Sequence, residues 1–582
     1  LLVAGAGASV HHGGMNRWHI GLALLVTAAC PACTSADDSA AAPPTPEPDL
    51  VCAKSSPTRH VYFGDLHVHT GFSFDARSYD TVLTPKDAYR FAAGQAVKLP
   101  PLDSDGQPTR STTIGRPLDF LAVTDHAEFL GEVAICTDET AEGYDSQSCQ
   151  NYRKEPGSGA FAFGTKLSQT NATRFADICG DEGERCQTRA RQRWLAMQQA
   201  ANDAYDRTDS CKLTAFVGYE YTNTHGVSNL HRNVIFNGQT VPDLPPTYFE
   251  AFQPLDLWSQ LRNECRNAGT GCDVVVLPHN SNLSNGNLFN PSYTSDPADA
   301  KLRADMEPVV EMFQHKGDSE CRNGFATVDA AVDPLCGFEK LRPASDETCG
   351  DKPGSGGMRL NGCVHRHDFV RNVFKTGLLQ AASTGHNPFR LGVIGSTDTH
   401  NGTPGHVSSV DFPGHVGLAD NTATKRLGAG TATHDGLINN PGGLAAVWAE
   451  QNDRNAIFAG IRRAETYATS GPRIALRFFG GWGYAGGLCS ADDKLTTAYA
   501  GGVPMGGSLG SAESAAPTFL LSTEHDPGTA AAPGSKLQRM QIVKGWLKDG
   551  AAHEKVFDVA GDATVGVDVD TATCEPSSEG AA

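Results

Sequence analysis

Six short apolar runs, near residues 61–66, 118–124, 214–219, 273–277, 308–313 and 391–396, punctuate the chain, and each ends in His, Asp or Glu. Runs of that length between polar and turn-forming residues predict buried strands. Helical patterns lie between them. Thr84-Pro85-Lys86-Asp87 opens one, with Thr84 as cap, Pro85 in the first turn and Asp87 at the positive end of the dipole. A second, about 184–205, falls within a Cys-rich stretch, 136–212, that reads as an inserted surface element without chemistry of its own. A third lies near 366–382. A fourth, near 453–465, puts Ile457, Phe458 and Ile461 on one face and is expected on the outside of the fold. Strands separated by helical crossovers predict parallel pairing and an α/β barrel, whose strands all point one way and gather their C-terminal ends at one mouth. Further on, RIALRFFGGW at 473–482, FLLST at 519–523 and MQIVKGWL at 540–547 predict a small β-rich module over 471–582.

The run endings carry the candidate chemistry. Phe63 to Asp75 reads FGDLHVHTGFSFD; strand alternation puts His67 and His69 on one face, with Asp65 in phase and Asp75 just beyond. Asp125-His126 closes the second run, and Glu220 follows the third, with His225, His231, Arg232 and Asn233 behind it. His279 ends the fourth run, Glu311 and His315 the fifth, Asp398 and His400 the sixth. Polar pairs at the end of buried strands are costly unless satisfied. Imidazoles with bridging carboxylates suit Zn, Mn or Fe, whereas an all-oxygen Mg or Ca cage would not need the histidines. So many ligands exceed one tetrahedral ion, and two or three divalent transition-metal ions are expected. Closely spaced ions suit metal-assisted phosphoester hydrolysis. Arg232 offers a planar fork for phosphate or carboxylate, its alternative being a structural ion pair. His231 and His225 are candidate proton donors to a leaving group, and Lys316 is a further anion-binding candidate. GGVPMGG, 501–507, lacks the Lys-Ser/Thr ending of a phosphate loop.

Charge narrows the partners. The 582 residues, 39% hydrophobic and 19% charged, are globular in composition and exceed one ordinary core. A formal net charge of -19 with no basic stripe argues against nucleic acid and leaves a small, anionic molecule as the expected substrate.

The N-terminus reads as an address. Met15, Arg17 and the apolar run from Ile20 to Ala29 form an export signal too short to span a bilayer, preceded by an upstream extension. Cleavage near Ala29 or Ala32 would leave Cys30 or Cys33 at the new terminus, so a lipid anchor is the one expected link to a membrane; an ordinary secretory signal is the alternative. Residues 1–33 are therefore a signal or lipoprotein-like peptide and 34–57 a flexible linker. Setting aside Cys30 and Cys33, 14 of the 16 cysteines remain, without zinc-ribbon spacing. Most are expected in disulfides, with Cys179/Cys186, Cys265/Cys272 and Cys349/Cys363 close enough to close small loops, in a periplasmic or extracellular protein.

The motifs DLHVHT, AVTDH, GYE, LPHN and STDTH, in this order, resemble those of the polymerase and histidinol phosphatase (PHP) superfamily. With FSFDA, HRNVIF, DSE and RRAETYATSGPRI added, roughly residues 58–560 are similar to the bacterial family called domain of unknown function 3604. The resemblance implies a distorted (β/α)7 TIM-like barrel, placed here over 58–470, and a trinuclear metal centre. Position by position it implies that His67, His69 and Asp398 hold one ion and that Glu220 bridges two. His279 and His315 serve the second ion, and Asp75, His126 and His400 the third. Asp75 stands where that superfamily often has His, and Glu311 is a rival to His315. Members of the narrower family generally continue further, which leaves room for a truncated C-terminus. The implied activity is metal-dependent hydrolysis of small-molecule phosphoesters. Hydrolysis of an amide or lactone, and a metal-containing binding protein without catalysis, are the alternatives.

Overall fold

The computed structural model describes residues 50–325, 332–408, 410–430, 436–512, 516–562 and 564. The expected signal, most of the expected linker and the tail around Cys574 lie outside the described residues. Nine strands surround the run endings: β1 (His60–Asp65), β2 (Phe120–Val123), β3 (Thr214–Tyr221), β4 (Arg232–Phe236), β5 (Val274–Pro278), β6 (Val309–Gln314), β7 (Gly392–Gly395), β8 (Leu444–Ala449) and β9 (Thr466–Thr469). All six apolar runs are among them.

Seven of these strands hydrogen-bond in the order β9-β8-β1-β2-β3-β4-β5. β1, β2 and β3 run parallel, but β4 runs antiparallel to both neighbours, and β8 runs antiparallel to β1 and β9. β6 and β7 pair in parallel in a separate small sheet. The expected (β/α)7 TIM-like barrel is therefore wrong. The sheet is mixed and curls into a half-barrel, and among the described residues no ladder joins β5 to β6 or β7 to β9. The reason is local. Only the short loop 222–231 separates β3 from β4, with no crossover helix, and a connection of that kind returns the chain antiparallel.

Alternation along each strand separates two cores. On the outer face Leu121, Val123, Val217, Tyr219, Val234 and Phe236 pack with Val133 and Trp194 of the helices Leu130–Cys136 and Glu184–Ala204. The insertion is thus partly core, not simply a surface element. On the inner face Phe120, Ala122, Phe216, Ile235, Val275, Leu277, Val309 and Ile394 close on one another. Ile457, Phe458 and Ile461 of helix Arg454–Arg462 join this inner cluster, so that helix fills the curl rather than coating its exterior. The helix Pro85–Ala92 begins as expected, with Asp87 Oδ2 accepting from Thr84 N at 3.0 Å and Thr84 Oγ1 at 2.7 Å.

Six disulfides are formed among the described residues: Cys52–Cys211, Cys136–Cys149, Cys179–Cys186, Cys265–Cys272, Cys321–Cys336 and Cys349–Cys363. Cys489 is free and exposed. Cys52–Cys211 ties down the end of the expected linker, and Ala53 N donates to Asp209 O at 2.8 Å beside it. Among the described residues no helix is long and apolar enough to cross a membrane; with six disulfides, this is consistent with an exported protein. The C-terminal region is β-rich, with a three-stranded sheet of Ala475–Gly481, Gly502–Pro504 and Thr518–Glu524 and a hairpin of Arg539–Lys548 and Ala551–Gly561. The hairpin meets helix Val370–Thr384 through Lys375 Nζ and Glu554 Oε2, 2.7 Å apart.

Candidate metal centre

Inner-face alternation decides which side chains reach the open end of the curl. Counting on from Ala122, Phe216, Val275 and Ile394 by twos leads to His126, Glu220, His279 and Asp398, and from Val309 to Glu311 and His315. The chain past β1 brings His67 and His69 in. All nine side chains expected to ligate metal come together, in overlapping groups whose donor atoms lie within 4.8 Å of one another. These are His67, Glu220 and His279; His67, His69 and Asp398; His69, Asp75, His126 and His400; and His315, Asp398 and His400. A further group of Glu132, Cys179 and Cys186 meets the same spacing, but its cysteines are joined to each other.

The distances within the cluster suit ligands of a shared ion as well as hydrogen bonds. His67 Nε2 and His69 Nε2 each lie 3.2 Å from Asp398 Oδ1, and 3.4 and 3.2 Å from Glu220 Oε2. Two donor atoms bound tetrahedrally at zinc-like lengths are separated by about 3.3 Å. His126 Nε2 and His400 Nε2 approach Asp75 Oδ2 at 3.0 and 2.9 Å, and His279 Nε2 approaches Glu220 Oε1 at 3.1 Å. Glu220 Oε2, Asp398 Oδ1 and His315 Nε2 are buried without a hydrogen-bond partner among the described residues. Unsatisfied buried acceptors are costly, and a divalent cation would satisfy all three, so the residues fit such ions.

A surrounding layer fixes the tautomers. His67 Nδ1 donates to Glu311 Oε2 at 2.9 Å, and His400 Nδ1 to the carbonyl of Asp398 at 2.8 Å, which turns both Nε2 atoms towards the cluster. His69 Nδ1 meets Ser73 Oγ at 2.9 Å, and that hydroxyl donates to Asp125 Oδ1 at 2.8 Å. Glu311 meets His67, while its rival His315 turns Nε2 to Asp398 Oδ2 at 3.6 Å. Asp398 holds its place with φ at 55°, a left-handed conformation uncommon for Asp.

Electrostatics matches this layout. Burial would raise the carboxyls of Asp75, Glu220 and Asp398, yet the imidazoles around them hold all three well below the ordinary carboxylate range. Burial lowers the imidazoles of His279, to about 3, and His315. It opposes the carboxylates at His69, which win and raise that imidazole to about 9. The same carboxylates raise His67 and His126 against burial, so the metal-free cluster holds extra protons on its imidazoles, which bound cations would displace.

Four expected residues take other places. Arg232 points to the outer face, because His231, Asn233 and Ile235 share the inner one. Fully buried, it pairs with Glu307 Oε1 at 2.7 Å. Arg303 Nε holds Glu307 Oε2 at 2.8 Å, and Trp258 Nε1 donates to Oε1 at 3.0 Å. Arg232 is therefore structural. His225 is exposed on the short turn His225–Val227 and does not line the site cleft. His231 enters the site, but its Nδ1 donates to Glu220 Oε1 at 2.7 Å and its Nε2 accepts from Thr224 Oγ1 at 2.9 Å; burial lowers its pKa. It orients Glu220 and carries no proton to spare. Asp65 leaves the histidine face and accepts from Thr397 N, Thr397 Oγ1 and Gly405 N at 3.1, 2.5 and 2.8 Å, tying β1 to the loop after β7.

Lys316 stands inside the site, with Nζ against Asp398 Oδ2. Asp125, a run ending, supports His69 through Ser73; Ser73 and Thr222, whose Oγ1 lies 2.6 Å from His126 Nδ1, were not legible as site residues. The cluster floors a cleft of about 440 Å³. One wall is helix Ser158–Leu167 of the insertion, which therefore does contribute to the site.

A mixed α/β half-barrel with a buried histidine and carboxylate cluster at its open end is the class that fold and site define. Its sequence matches the profile of the family described as Protein of unknown function (DUF3604) over residues 56–580, and the chain belongs to that family. No curated protein and no solved structure matches the chain.

Proposed function

We propose that the chain is a metal-dependent hydrolase of small-molecule phosphoesters that uses two or three divalent transition-metal ions, Zn, Mn or Fe. The observation that carries this reading is the pair of buried, unpartnered oxygens, Glu220 Oε2 and Asp398 Oδ1, each facing the Nε2 atoms of both His67 and His69. The likeness of DLHVHT, AVTDH and STDTH to PHP motifs supports the same reading. In it, His67, His69, Glu220 and Asp398 would hold ions at the centre of the cluster, with His279 and His315 as further donors on one flank and Asp75, His126 and His400 on the other. When bound, such ions act as Lewis acids that lower the pKa of water and stabilise charge on attacking and leaving oxygens.

The chain's own residues supply the rest. Glu311, Ser73 and the Asp398 carbonyl keep protons on the outer nitrogens of His67, His69 and His400. His231 keeps its proton on Nδ1, against Glu220. Lys316 faces a substrate anion from beside Asp398. The test is an assay of the protein as purified without chelators on a panel of phosphomonoesters and diesters, with metal content measured alongside. Turnover lost on chelation and restored by one of these metals is expected. Bound metal with no phosphoester turnover, and cleavage of an amide or lactone instead, would replace the substrate class. No bound transition metal would remove the reading altogether.

A further inference from the structure

We propose that helix Ser158–Leu167 and the turn at Met358–Arg359 form a collar for an aromatic leaving group, so that the preferred substrates are aryl phosphoesters. This rests on the hydrolase reading above and concerns the same cleft. Polar donors lie on its floor, whereas Phe74, Phe161, Val227, Met358 and Val416 line its walls. Polar anchors beneath apolar walls are the usual layout of a small-molecule site.

The helix is shaped for a flat group. Ala160, Phe161, Gly164, Thr165 and Ser168 face the cleft at spacings of one, three and four residues, one side of a helix. At Gly164 an added Cβ would meet nothing within 4 Å, so open space runs alongside it. Phe161 is 68% exposed, a large apolar side chain left bare at the rim. The Arg359 guanidinium carbon lies 5.5 Å from the centre of its ring, which steadies the aromatic without covering it. Beneath this collar, the unpartnered buried atoms Glu220 Oε2, Asp398 Oδ1 and His315 Nε2 mark where the charged end of a ligand belongs. The reaction is ordinary hydrolysis. Water oxygen forms the new bond to phosphorus, the bond from phosphorus to aryl oxygen breaks, and that oxygen leaves with the remaining proton as a phenol.

Calorimetric binding of phenylphosphonate and methylphosphonate to the metal-containing protein tests the collar without turnover. Burying the ring should make phenylphosphonate bind about 10-fold to 100-fold more tightly. Phe161→Ala should cut that preference by about tenfold, and Gly164→Leu, which fills the collar, should abolish it. Methylphosphonate affinity should stay within about twofold in both, since neither residue is a ligand. Should Gly164→Leu fail to fold, the exposed Phe161→Ala still decides the matter. Equal affinities in the wild type, no binding of either compound, or an unchanged preference in Phe161→Ala would overturn the proposal. A phenyl preference in a protein that hydrolyses no ester would sink the hydrolase reading alone. Phosphoester turnover without that preference would sink the collar alone.

Discussion

His69 and Ser73, four residues apart, form a relay: Nδ1 meets the hydroxyl at 2.9 Å, and the hydroxyl passes its own hydrogen to Asp125. The arrangement keeps a hydrogen on Nδ1 and aims Nε2 at Glu220 and Asp398, where a bound cation would take the place of the Nε2 proton. Support of this kind fixes the tautomer and the basicity of a metal-ligating imidazole, and its loss typically lowers metal affinity by about 10-fold to 100-fold. Asp125→Asn and Glu311→Gln are each expected to weaken metal binding within that range. Competition against a chelator of known affinity measures it, and unchanged affinity in both would remove the orienting role.

His67→Ala and His225→Ala separate the site from its surroundings. The first removes a side chain that belongs to two of the donor groups; metal content and turnover should fall to background. The second alters an exposed turn, and both quantities should stay within about twofold of wild type. Elemental analysis of the two purified variants reads the contrast directly.

Glu307→Ala should destabilise the fold without entering the chemistry. It would leave the guanidinium groups of Arg232 and Arg303 buried and unpaired, and breaking a buried ion pair in this way costs about 3–5 kcal/mol. Denaturant unfolding should show a loss of that size, with metal content per folded molecule preserved. A loss under about 1 kcal/mol would mean that the guanidiniums find other partners.

Asp368 offers a pH signature away from the metal ligands. Its carboxyl is buried, accepting from Ser284 Oγ, Gly286 N and His365 N at 2.9, 2.6 and 2.9 Å, and burial pushes its pKa up to about 7. The folded state then holds the proton more tightly than the unfolded chain, so this stabilisation is complete below the ordinary carboxyl pKa and is lost as pH rises towards 7. Asp368→Asn cannot ionise. Wild-type stability minus that of the variant should fall by up to about 4 kcal/mol between pH 4 and 8, as unfolding at each pH would show. A flat difference would contradict the raised pKa.

Much of the site's location was legible, and the closure of the sheet was not. Each of the six apolar runs is a strand, because run length and polar endings are local properties of the chain. What the runs did not show is β4, a further strand interposed between β3 and β5 and antiparallel to both. HRNVIF looks like any other buried strand, and its direction is set by the loop before it and by pairing with residues far along the chain. The same strand explains the error over Arg232: His231 and Arg232 are adjacent, so alternation sends only one of them inward. Glu307, the partner that holds Arg232 outside, lies 75 residues away and shows no sequence sign of that role. The supporting layer of Ser73 and Thr222 was hidden for a similar reason, since hydroxyls are common and only contact reveals which imidazole they hold.

The reversed direction of β4 also divides the surrounding loops by the freedom they have to change. Its first residue stands at the metal end, so the segment 222–231 borders the site, whereas 237–273 leaves from the opposite end of the strand. Insertions and deletions among related chains should therefore collect at the start of 237–273, ahead of Tyr248, whose N–H shares Glu128 Oε1 with Thr222 N near the site. The segment 222–231 should keep its length, because one residue more or less there would turn His231 away from Glu220 and carry every side chain of β4 to the other side of the sheet.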